Sequence, residues 1–347
     1  MGYKIGSFNL RNIGLTALGN NNERDLAKIA HIIKKEGFDV VALQEVLSEG
    51  KAFSSKEYAK KSILMELGDK WDFKWADAET QLSDTRHEGY GFLWNTCRLR
   101  LAHGKTNDGI DRVFNPRICM INKETMQRRP YYARFTPVGT LSGGPRVEFR
   151  LICVHTYFGK DTKEHRKIRE NELKVLMEDI YPQIADRRYG FYGNGMTSYT
   201  ILLGDYNVSL YRPWKEKALN EINDNRKKQG KSAYPKPAYL NGGLSDITET
   251  TRWGNRRILT VQDQFTSLRS KPDDSGEYDE RGYANDYDHF SYEESQFEGM
   301  IVKARRIDAV RKYCDDNFEE YYKKVSDHIP IMMTVEFRDD IEEELDL

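Results

Sequence analysis

The sequence has few cysteines, no long apolar run and almost no net charge, and each absence excludes a class of protein. The four cysteines include no CxxC pair, which argues against a disulfide-dense scaffold and a structural zinc site. No run of about 18 apolar residues occurs, so a membrane span is not expected. The formal net charge is −1, so no overall basic field indicates nucleic acid, although the 54 Lys and Arg residues could still be concentrated on one face.

The beginning of the chain also lacks a recognisable targeting segment. MGYKIGSFNL is strand-like and contains no apolar region of about 7–15 residues, so we expect no signal peptide in this chain. Both a cytoplasmic protein and a secreted protein whose leader has been removed are consistent with this beginning. The sequence therefore leaves the compartment unknown.

Apolar runs of strand length alternate with helical patterns along the 347 residues. The first unit is YKIGSFNL, then ERDLAKIAHIIKKEG with Gly37 as a stop signal, then FDVVALQE. Runs such as VVAL and TILL are apolar without alternation, as expected of strands buried on both faces. The pattern predicts a layered α/β protein. Further strands are predicted in GYGFLWN, RICMI, VEFRLICVHTY, SYTILLGDYN, LTVQDQFTSL, NDYDHFSY and IPIMMTVEF, and helices in SKEYAKKSILMELG and HRKIRENELKVLMEDIYPQIADR.

Two polar intervals interrupt this pattern without ending it. The interval 211–257 begins with the helical stretch WKEKALNEINDNRKKQGK, and the interval 271–282 is acidic and turn-forming. Core-like strands resume after each, so we interpret residues 1–338 as one domain with two surface insertions. The remaining residues, 339–347, form an acidic tail that we expect to be a solvated end.

Polar side chains follow several apolar runs at the point where each run ends. VVALQE ends in Glu45, LICVH in His155, and TILLGDYN in Asp205 and Asn207. In open α/β sheets the carboxyl ends of the strands are where ligands bind. Residues two apart in an extended chain point to the same face, so Asp205 and Asn207 are presented together, and Gly204 permits close approach of backbone or substrate. A carboxylate beside an amide can position a water and hold an anionic oxygen.

The acidic residues at these positions indicate a type of metal. Glu45, Asp205 and Asp327 are hard oxygen ligands with no thiolate nearby, which suits Mg²⁺ or Mn²⁺ rather than zinc. Such an ion polarises a phosphoryl oxygen. Taken singly, each motif has an ordinary explanation, such as a strand-end glutamate, a turn at GDYN or a helix cap at SDH. Their joint occurrence, each closing a strand, favours a functional site.

As a set, these motifs resemble the endonuclease/exonuclease/phosphatase superfamily, which has the DNase I-like fold. The matching segments are FNLRN with Asn9, LQE with Glu45, HEGYGFLW with Glu88, VHTY with His155, LLGDYN with Asp205 and Asn207, NDYDHFSY with Asp288, and SDHIPI with Asp327 and His328. They extend from Phe8 to Ile331. The resemblance implies a four-layer α/β sandwich, in which two mixed β-sheets pack face to face with helices outside. It also implies divalent-metal-dependent hydrolysis of a phosphate ester.

The resemblance further implies roles for the matching residues. Glu45 would be the main metal ligand, with Asn9 close by and Asp327 as a further ligand. Asp205 and Asn207 would orient the attacking water and the scissile phosphate.

Two histidine–carboxylate dyads complete the implied site. We predict that His328 pairs with Asp288 and that His155 pairs with Glu88, because a carboxylate that accepts from one ring nitrogen fixes the tautomer and favours the imidazolium. General acid–base help of this kind is worth on the order of 10²–10⁴ in rate. We assign His328 as the expected base and His155 as the expected acid or phosphate stabiliser.

An arginine is a further expected substrate contact. Such enzymes often carry a phosphate-contacting Arg before a Pro, and Arg128 in RRPYYARF falls at this position. Arg117 in NPRICMI is the competing candidate, and a structural or surface role stays open for both.

Local features narrow the choice of substrate within the superfamily. The chain has GDYNVS and YDHF instead of the GDxNYR and CDRI motifs typical of inositol polyphosphate phosphatases. His155 with an acidic partner at Glu88 is more similar to the DNase I and sphingomyelinase branches than to the abasic-site nucleases. We therefore expect a Mg²⁺- or Mn²⁺-dependent nuclease with DNA as the favoured partner. Two alternatives stay open: a phospholipid or small phosphoester hydrolase of the same fold, and a catalytically silent binding module, which the occupied catalytic positions disfavour.

Overall fold

Strands and helices follow one another along the chain as the sequence pattern predicts. The computed structural model describes residues 2–14, 24–47, 51–54, 62–78, 88–105, 111–122, 125–139, 147–160, 162–187, 197–234, 236, 239–240, 246–251, 254–270 and 282–337. The strands are β1 Gly2–Ile13, β2 Val40–Val46, β3 Trp71–Asp77, β4 Gly89–Asn95, β5 Leu99–Leu101, β6 His103–Lys105, β7 Asp111–Val113, β8 Arg117–Ile118, β9 Tyr131–Pro137, β10 Val147–His155, β11 Thr197–Asp205, β12 Asp246–Thr251, β13 Gly254–Val261, β14 Asp288–Glu293, β15 Met300–Arg306 and β16 Ile331–Phe337. The helices are α1 Leu26–Glu36, α2 Lys51–Ser54, α3 Ile63–Leu67, α4 Lys163–Val175, α5 Tyr181–Ala185, α6 Pro213–Lys228, α7 Ala309–Cys314 and α8 Phe318–Lys324.

The described strands form two large mixed sheets. The first sheet has the order β15-β16-β1-β2-β4-β3, and the second has the order β12-β13-β14-β11-β10-β9-β5, with β8 paired to β9. Each sheet contains a parallel pair, β1 with β2 and β10 with β11. These parallel pairs lie near the middle of their sheets, so the carboxyl ends of β1, β2, β10 and β11 are the ones that deliver Asn9, Glu45, His155 and Asp205.

The two sheets pack face to face, and helices cover their outer faces. Ile5 and Val40 of the first sheet contact the same buried cluster as Leu151 and Leu203 of the second. On the outside of the first sheet, a second cluster joins β1 and β2 to α1, α3, α7 and α8. On the outside of the second sheet, a third cluster joins β10 and β11 to α4 and α5. The expected four-layer α/β sandwich is therefore confirmed.

Helix α1 shows how local sequence sets the element boundaries. The Asp25 side chain accepts a hydrogen bond from the Lys28 N–H and caps the first turn. Gly37 ends the helix with a left-handed φ of 69° and donates its N–H to the Lys34 carbonyl. The buried residues include Ile29, Ile32 and Ile33, so this helix agrees with the predicted one.

The long predicted helix 165–187 is interrupted rather than continuous. Helix α4 passes at Leu176–Ile180 into a π-helical turn, and α5 follows with Pro182 in its first turn. A proline inside a helix removes one N–H and crowds the carbonyl four residues earlier, and a wider turn before it relieves that conflict. In the SKEYAKKSILMELG segment, α3 accounts for the end, and 55–61 lies outside the described residues.

Several predicted strands differ in extent from the structure. LTVQDQFTSL was expected to be one strand, but β13 ends at Val261 because Gln262 has a left-handed φ of 76°. RICMI contributes only the two residues of β8. The strands β3, β5, β6, β7, β9, β12 and β15 were not predicted.

The interval 211–257 was expected to be a surface insertion, but only its first part lies outside the sheets. Its helix is α6, whereas β12 and the beginning of β13 belong to the second sheet. The prediction failed there because the edge strand is polar, DITETT, and lacks a core-like pattern. The acidic tail 339–347 and residues 271–281 lie outside the described residues. None of the described helices has the length and apolar character needed to cross a bilayer.

Candidate active site

A cleft of about 550 Å³ opens where the carboxyl ends of the two parallel strand pairs meet. Most of the predicted site residues line it: Glu45, Glu88, Arg128, His155, Asp205, Asn207, Asp327 and His328. The two that do not, Asn9 and Asp288, are buried directly behind it at 0% and 1% exposure. The structure therefore brings every predicted site residue to one place, from segments that span 9–328.

The first sheet presents Glu45 through an irregular strand end. The pairing of β1 with β2 shifts register between Asn9 and Ile13, and the pairing of β2 with β4 shifts between Leu43 and Val46. Glu45 itself has a left-handed φ of 56°. Such a conformation costs on the order of 1–3 kcal/mol for a residue with a side chain, and it is typical of functional positions. The irregularity turns the Glu45 carboxylate into the cleft.

The second sheet presents Asp205 and Asn207 after a glycine. Gly204 has a φ of 145°, and a Cβ atom there would lie 2.0 Å from the Val154 carbonyl oxygen, so only glycine fits between β10 and β11. Asn207 has a left-handed φ of 50°, and its N–H donates to Asp205 Oδ1 at 2.8 Å. Its amide Nδ2 donates to the Thr156 carbonyl at 3.0 Å. The turn is thus fixed by its own side chains.

Both predicted dyads are confirmed by the geometry. His155 Nδ1 lies 2.5 Å from Glu88 Oε1, and His328 Nδ1 lies 2.7 Å from Asp288 Oδ2. The other ring nitrogens face the same carboxylate, with His155 Nε2 at 3.7 Å and His328 Nε2 at 3.6 Å from Asp205 Oδ2. Asp205 therefore lies between two imidazoles that are each oriented from behind by a carboxylate.

Charge determines the protonation of the first dyad. Burial and the Arg128 guanidinium act to lower the pKa of His155, but the Glu88 and Asp205 carboxylates outweigh them and raise it. Burial acts to raise the pKa of Glu88, yet the charges of His155 and Arg128 lower it to about 2. Both shifts favour the imidazolium–carboxylate form of the dyad.

In the second dyad the pKa of the histidine is also raised, and the shift is larger. Burial opposes the charge on His328, but Asp288 and Asp205 raise its pKa well above the ordinary value of 6.5. Burial raises the pKa of Asp205, and the Asp288 charge adds to that shift. His328 must therefore lose a proton before it can act as a base, and its assignment as the base stays a prediction.

Asn9 connects the two halves of the site. Its Nδ2 donates to Glu45 Oε1 at 3.1 Å in the first sheet and to Asp205 Oδ2 at 3.0 Å in the second. Its Oδ1 accepts from the Arg11 N–H at 2.9 Å. In this arrangement Asn9 orients two carboxylates, and direct ligation of a metal by Asn9 stays a prediction.

The two arginine candidates occupy different environments. Arg128 lines the cleft, pairs with Glu88 Oε2 at 3.0 Å and donates to the Thr156 carbonyl at 3.1 Å. Arg117 is exposed on β8. Arg128 is therefore the one in reach of a ligand in the cleft, although it is also a structural partner of the first dyad.

A comparison with protein-family sequence models identifies the family of the chain. The model of the Endonuclease/Exonuclease/phosphatase family matches residues 6–329. The chain belongs to this family. Members of the endonuclease/exonuclease/phosphatase family are hydrolases of phosphoester bonds, and they typically depend on a divalent metal.

The chain is similar to solved structures with which it shares little sequence identity. TDP2 from Caenorhabditis elegans has a TM-score of 0.51 and 14% identity, over 97% of this chain and 74% of that one. A mannosyl-6-phosphatase from Bacteroides thetaiotaomicron has a TM-score of 0.47 and 14% identity, over 96% of this chain and all of that one (100%). The search of curated proteins found no match. The similarity to TDP2 supports the fold and leaves the substrate to the site itself.

The donor set at the cleft fits the divalent metal that the endonuclease/exonuclease/phosphatase family typically uses. Burial raises the pKa of Glu45, and the neighbouring charges of Glu88 and Asp327 contribute to that increase, so a cation would relieve the crowding of negative charge. Ligand atoms of Glu45, Glu88 and His155 lie within 4.8 Å of one another. Glu88 already has partners on both oxygens, which leaves Glu45 as the more available ligand.

Asp327, a predicted metal ligand, is paired with an arginine. Its Oδ2 lies 3.3 Å from Arg11 Nε, and Arg11 is held in turn by stacking on Tyr322, with its guanidinium carbon 3.9 Å from the ring centroid. Asp327 faces the cleft that Glu45 also lines. Ligation of a metal by Asp327 stays a prediction.

Three residues of this family member were missed by sequence reasoning. Arg11 was passed over although it lies in the FNLRN motif. Phe158 lines the cleft at 66% exposure, and it follows the VHTY motif closely. Glu172, fully buried on α4, accepts from the N–H groups of Gln127 at 2.7 Å and Tyr157 at 2.6 Å and so fixes the segments that carry Arg128 and His155. No local motif marks Glu172, because its role depends on where α4 packs.

Proposed function

We propose that this chain is a metal-dependent phosphodiesterase that uses Mg²⁺ or Mn²⁺, and that it is a DNase I-like nuclease with DNA as the favoured substrate. The observation that carries the proposal is the placement of Asp205 Oδ2 between His155 Nε2 at 3.7 Å and His328 Nε2 at 3.6 Å. Two imidazoles beside a carboxylate suit a phosphodiester, because one can donate to a charged oxygen and the other can accept a proton while the carboxylate holds a water.

Asp205 and Asn207 orient the attacking water in this proposal. Asp205 is fixed from both sides by Asn9 Nδ2 at 3.0 Å and by the Asn207 N–H at 2.8 Å. Burial raises the pKa of Asp205, which makes it a better proton acceptor than an exposed aspartate. The water therefore meets a rigid acceptor rather than a mobile one.

The two imidazoles supply proton transfer and hold the phosphate. We assign His155 as the acid or phosphate stabiliser and His328 as the base, the latter after release of the proton that Asp288 and Asp205 favour. Glu45, with Asp327 and Asn9 beside it, would hold the metal, which stabilises negative charge on the phosphate oxygens. Arg128 would contact the phosphate from the side of Glu88.

The lining of the cleft supports a nucleic acid over a small phosphomonoester. Phe158 presents its ring at the cleft with 66% exposure, and an exposed aromatic ring is a platform on which a base can stack. Arg11 and Arg128 also line the cleft, where each is paired with a carboxylate and can still donate to a phosphate oxygen. A polyanion thus meets stacking and charge in the same cleft.

A substrate panel tests the proposal. The protein is incubated with supercoiled plasmid, single-stranded DNA, RNA, sphingomyelin vesicles and p-nitrophenyl phosphate, each with Mg²⁺, Mn²⁺ or EDTA. We expect metal-dependent cleavage of the plasmid, abolished by EDTA. Turnover of sphingomyelin or p-nitrophenyl phosphate with intact nucleic acids would refute the nuclease assignment, and no turnover of any substrate would favour a silent binding module. Glu45→Ala should lose this cleavage, and Glu294→Gln, a change on the exposed surface, is its matched control.

We also infer that residues 1–338 act as one catalytic domain. The site takes Asn9 and Glu45 from the first sheet and His155 and Asp205 from the second, so neither sheet has a complete site alone. Truncation before β16 should therefore abolish activity together with folding, as circular dichroism would show.

A further inference from the structure

A second cavity, which we call the side pocket, adjoins the catalytic cleft. It has a volume of about 280 Å³ and is bounded by α6, by the segment after it and by the two strand-like segments 265–269 and 284–286. Ala284 and Asn285 line both the cleft and the side pocket. The two cavities therefore share a border at these two residues, so parts of one ligand could occupy both.

Aromatic rings form the walls of the side pocket. Tyr234, Tyr239 and Phe265 line it, together with the aliphatic side chain of Leu219. The Tyr234 ring is held by two guanidinium groups, with the central carbons of Arg226 at 3.9 Å and Arg269 at 4.7 Å from its centroid. The aromatic part of the wall is thus apolar, and the position of Tyr234 within it is fixed by its neighbours.

The charged groups at the pocket neutralise each other. The Lys215 ammonium donates to Asp286 Oδ2, and that oxygen also accepts from the Leu210 N–H at 3.0 Å. The two side chains are only 6% and 1% exposed. Because this buried pair is internally compensated, it offers no free charge to a ligand. Arg269, the other charged residue of the described lining, donates to the Tyr283 carbonyl and to the Tyr234 hydroxyl, both at 2.9 Å, so the pocket favours a neutral ligand over a cation.

Two polar side chains at the pocket lack partners. Ser209 is 2% exposed, and its hydroxyl makes no hydrogen bond with any described residue. The Asn285 side-chain amide, at the border with the cleft, likewise makes none within the described part of the chain. Ser209 lines the pocket, and a hydroxyl group can both donate to and accept from a ligand.

We propose that the side pocket binds the base of a substrate nucleotide whose phosphodiester lies in the cleft. This inference rests on the proposed nuclease function. A nucleobase is neutral and flat, has two π-faces for the aromatic walls, and has donors and acceptors on its edge for Ser209 and Asn285. The volume of about 280 Å³ is just below the range of about 300–1,000 Å³ for the pockets of drug-sized ligands, which suits one ring system.

Dinucleoside monophosphates with and without a base test this inference. We compare kcat/KM for thymidylyl-thymidine with that for analogues in which one base is replaced by hydrogen, on either side of the phosphate. One of the two analogues should react more slowly by about 5- to 150-fold, which corresponds to about 1–3 kcal/mol of stacking. In Tyr239→Ala and in Phe265→Leu that ratio should fall towards one. Trp214→Ala, which removes an exposed ring on α6 outside the pocket, is the matched control and should keep the ratio.

Binding without turnover separates this inference from the proposed function. Saturation-transfer NMR with thymidine and deoxyadenosine in EDTA should show contact with the wild type and its loss in Tyr239→Ala. If no phosphodiester is cleaved but nucleosides still bind in this Tyr239-dependent manner, the nuclease proposal fails and the side pocket stands. If DNA is cleaved with no base preference and no nucleoside contact, the side-pocket inference is overturned. Mannose or choline binding in place of nucleosides would overturn it as well.

Discussion

Replacing Asp288 by asparagine removes the charge behind His328 while keeping the size of the side chain. In the wild type, Asp288 Oδ2 lies 2.7 Å from His328 Nδ1, and both groups are buried. Asparagine can still accept a hydrogen bond through Oδ1, so the ring should keep its place. The substitution therefore tests the electrostatic part of the dyad and not its packing.

Two estimates indicate how much activity the Asp288→Asn substitution should remove. Charges about 4 Å apart attract by about 4 kcal/mol at an effective dielectric constant of about 20, which is a gross figure that desolvation offsets. Loss of general acid–base catalysis costs on the order of 10²–10⁴ in rate, which equals about 2.7–5.4 kcal/mol of transition-state stabilisation. We expect Asp288→Asn to lower kcat/KM by a factor of about 10²–10⁴.

The pH dependence of stability gives a second, independent readout. Because Asp288 and Asp205 raise the pKa of His328, the interaction contributes stability that is complete below about pH 6.5 and is lost as the pH rises through the folded-state pKa. The destabilisation caused by Asp288→Asn should therefore be larger at pH 6 than in alkaline solution. Urea denaturation in EDTA measures it, with the exposed Glu294→Gln as the acid-to-amide control.

Either of two results would refute this reasoning. Activity within a factor of three of the wild type would show that the charge of Asp288 does not support the reaction. A destabilisation that is the same at pH 6 and in alkaline solution would show that His328 does not carry the proton assigned to it.

Three further substitutions test the scaffold and the metal site. Gly204→Ala should lower the free energy of unfolding by at least about 2–3 kcal/mol, because its Cβ would lie 2.0 Å from the Val154 carbonyl oxygen; an unchanged denaturation midpoint would contradict this. Glu172→Gln weakens the hold on the Tyr157 N–H, so kcat should fall while calorimetric Mn²⁺ affinity stays unchanged, and a reduced affinity would place Glu172 in the metal site instead. Glu45→Ala should abolish calorimetric Mn²⁺ binding without destabilising the metal-free protein, because burial and neighbouring carboxylates raise the pKa of Glu45; retained binding would remove it from the ligand set.

The fold was predictable where apolar runs and polar strand ends are local signals. VVALQE and TILLGDYN have enough contiguous apolar residues to indicate buried strands, and both lie in the middle of a sheet. The strand β12, by contrast, is polar and lies at an edge, where pairing with β13 stabilises it. Such a strand depends on its neighbour and not on its own composition.

The site was predictable in its members but not in its connections. Glu45 could be identified from its motif, whereas its left-handed backbone depends on register shifts in two strand pairings. Arg11 pairs with Asp327, which lies 316 positions later in the chain, so no local pattern reveals the contact. The same holds for Glu172, whose position behind the site depends on how α4 packs against the sheet.

The bridge formed by Asn9 has a consequence for how the protein acquires activity. One amide joins Glu45 of the first sheet to Asp205 of the second, and the carboxylates reach their positions only when the sheets are docked. A folding intermediate with one sheet formed would have half a site and no turnover. Recovery of catalysis during refolding would therefore report the docking of the sheets, while far-ultraviolet circular dichroism would report the formation of each one.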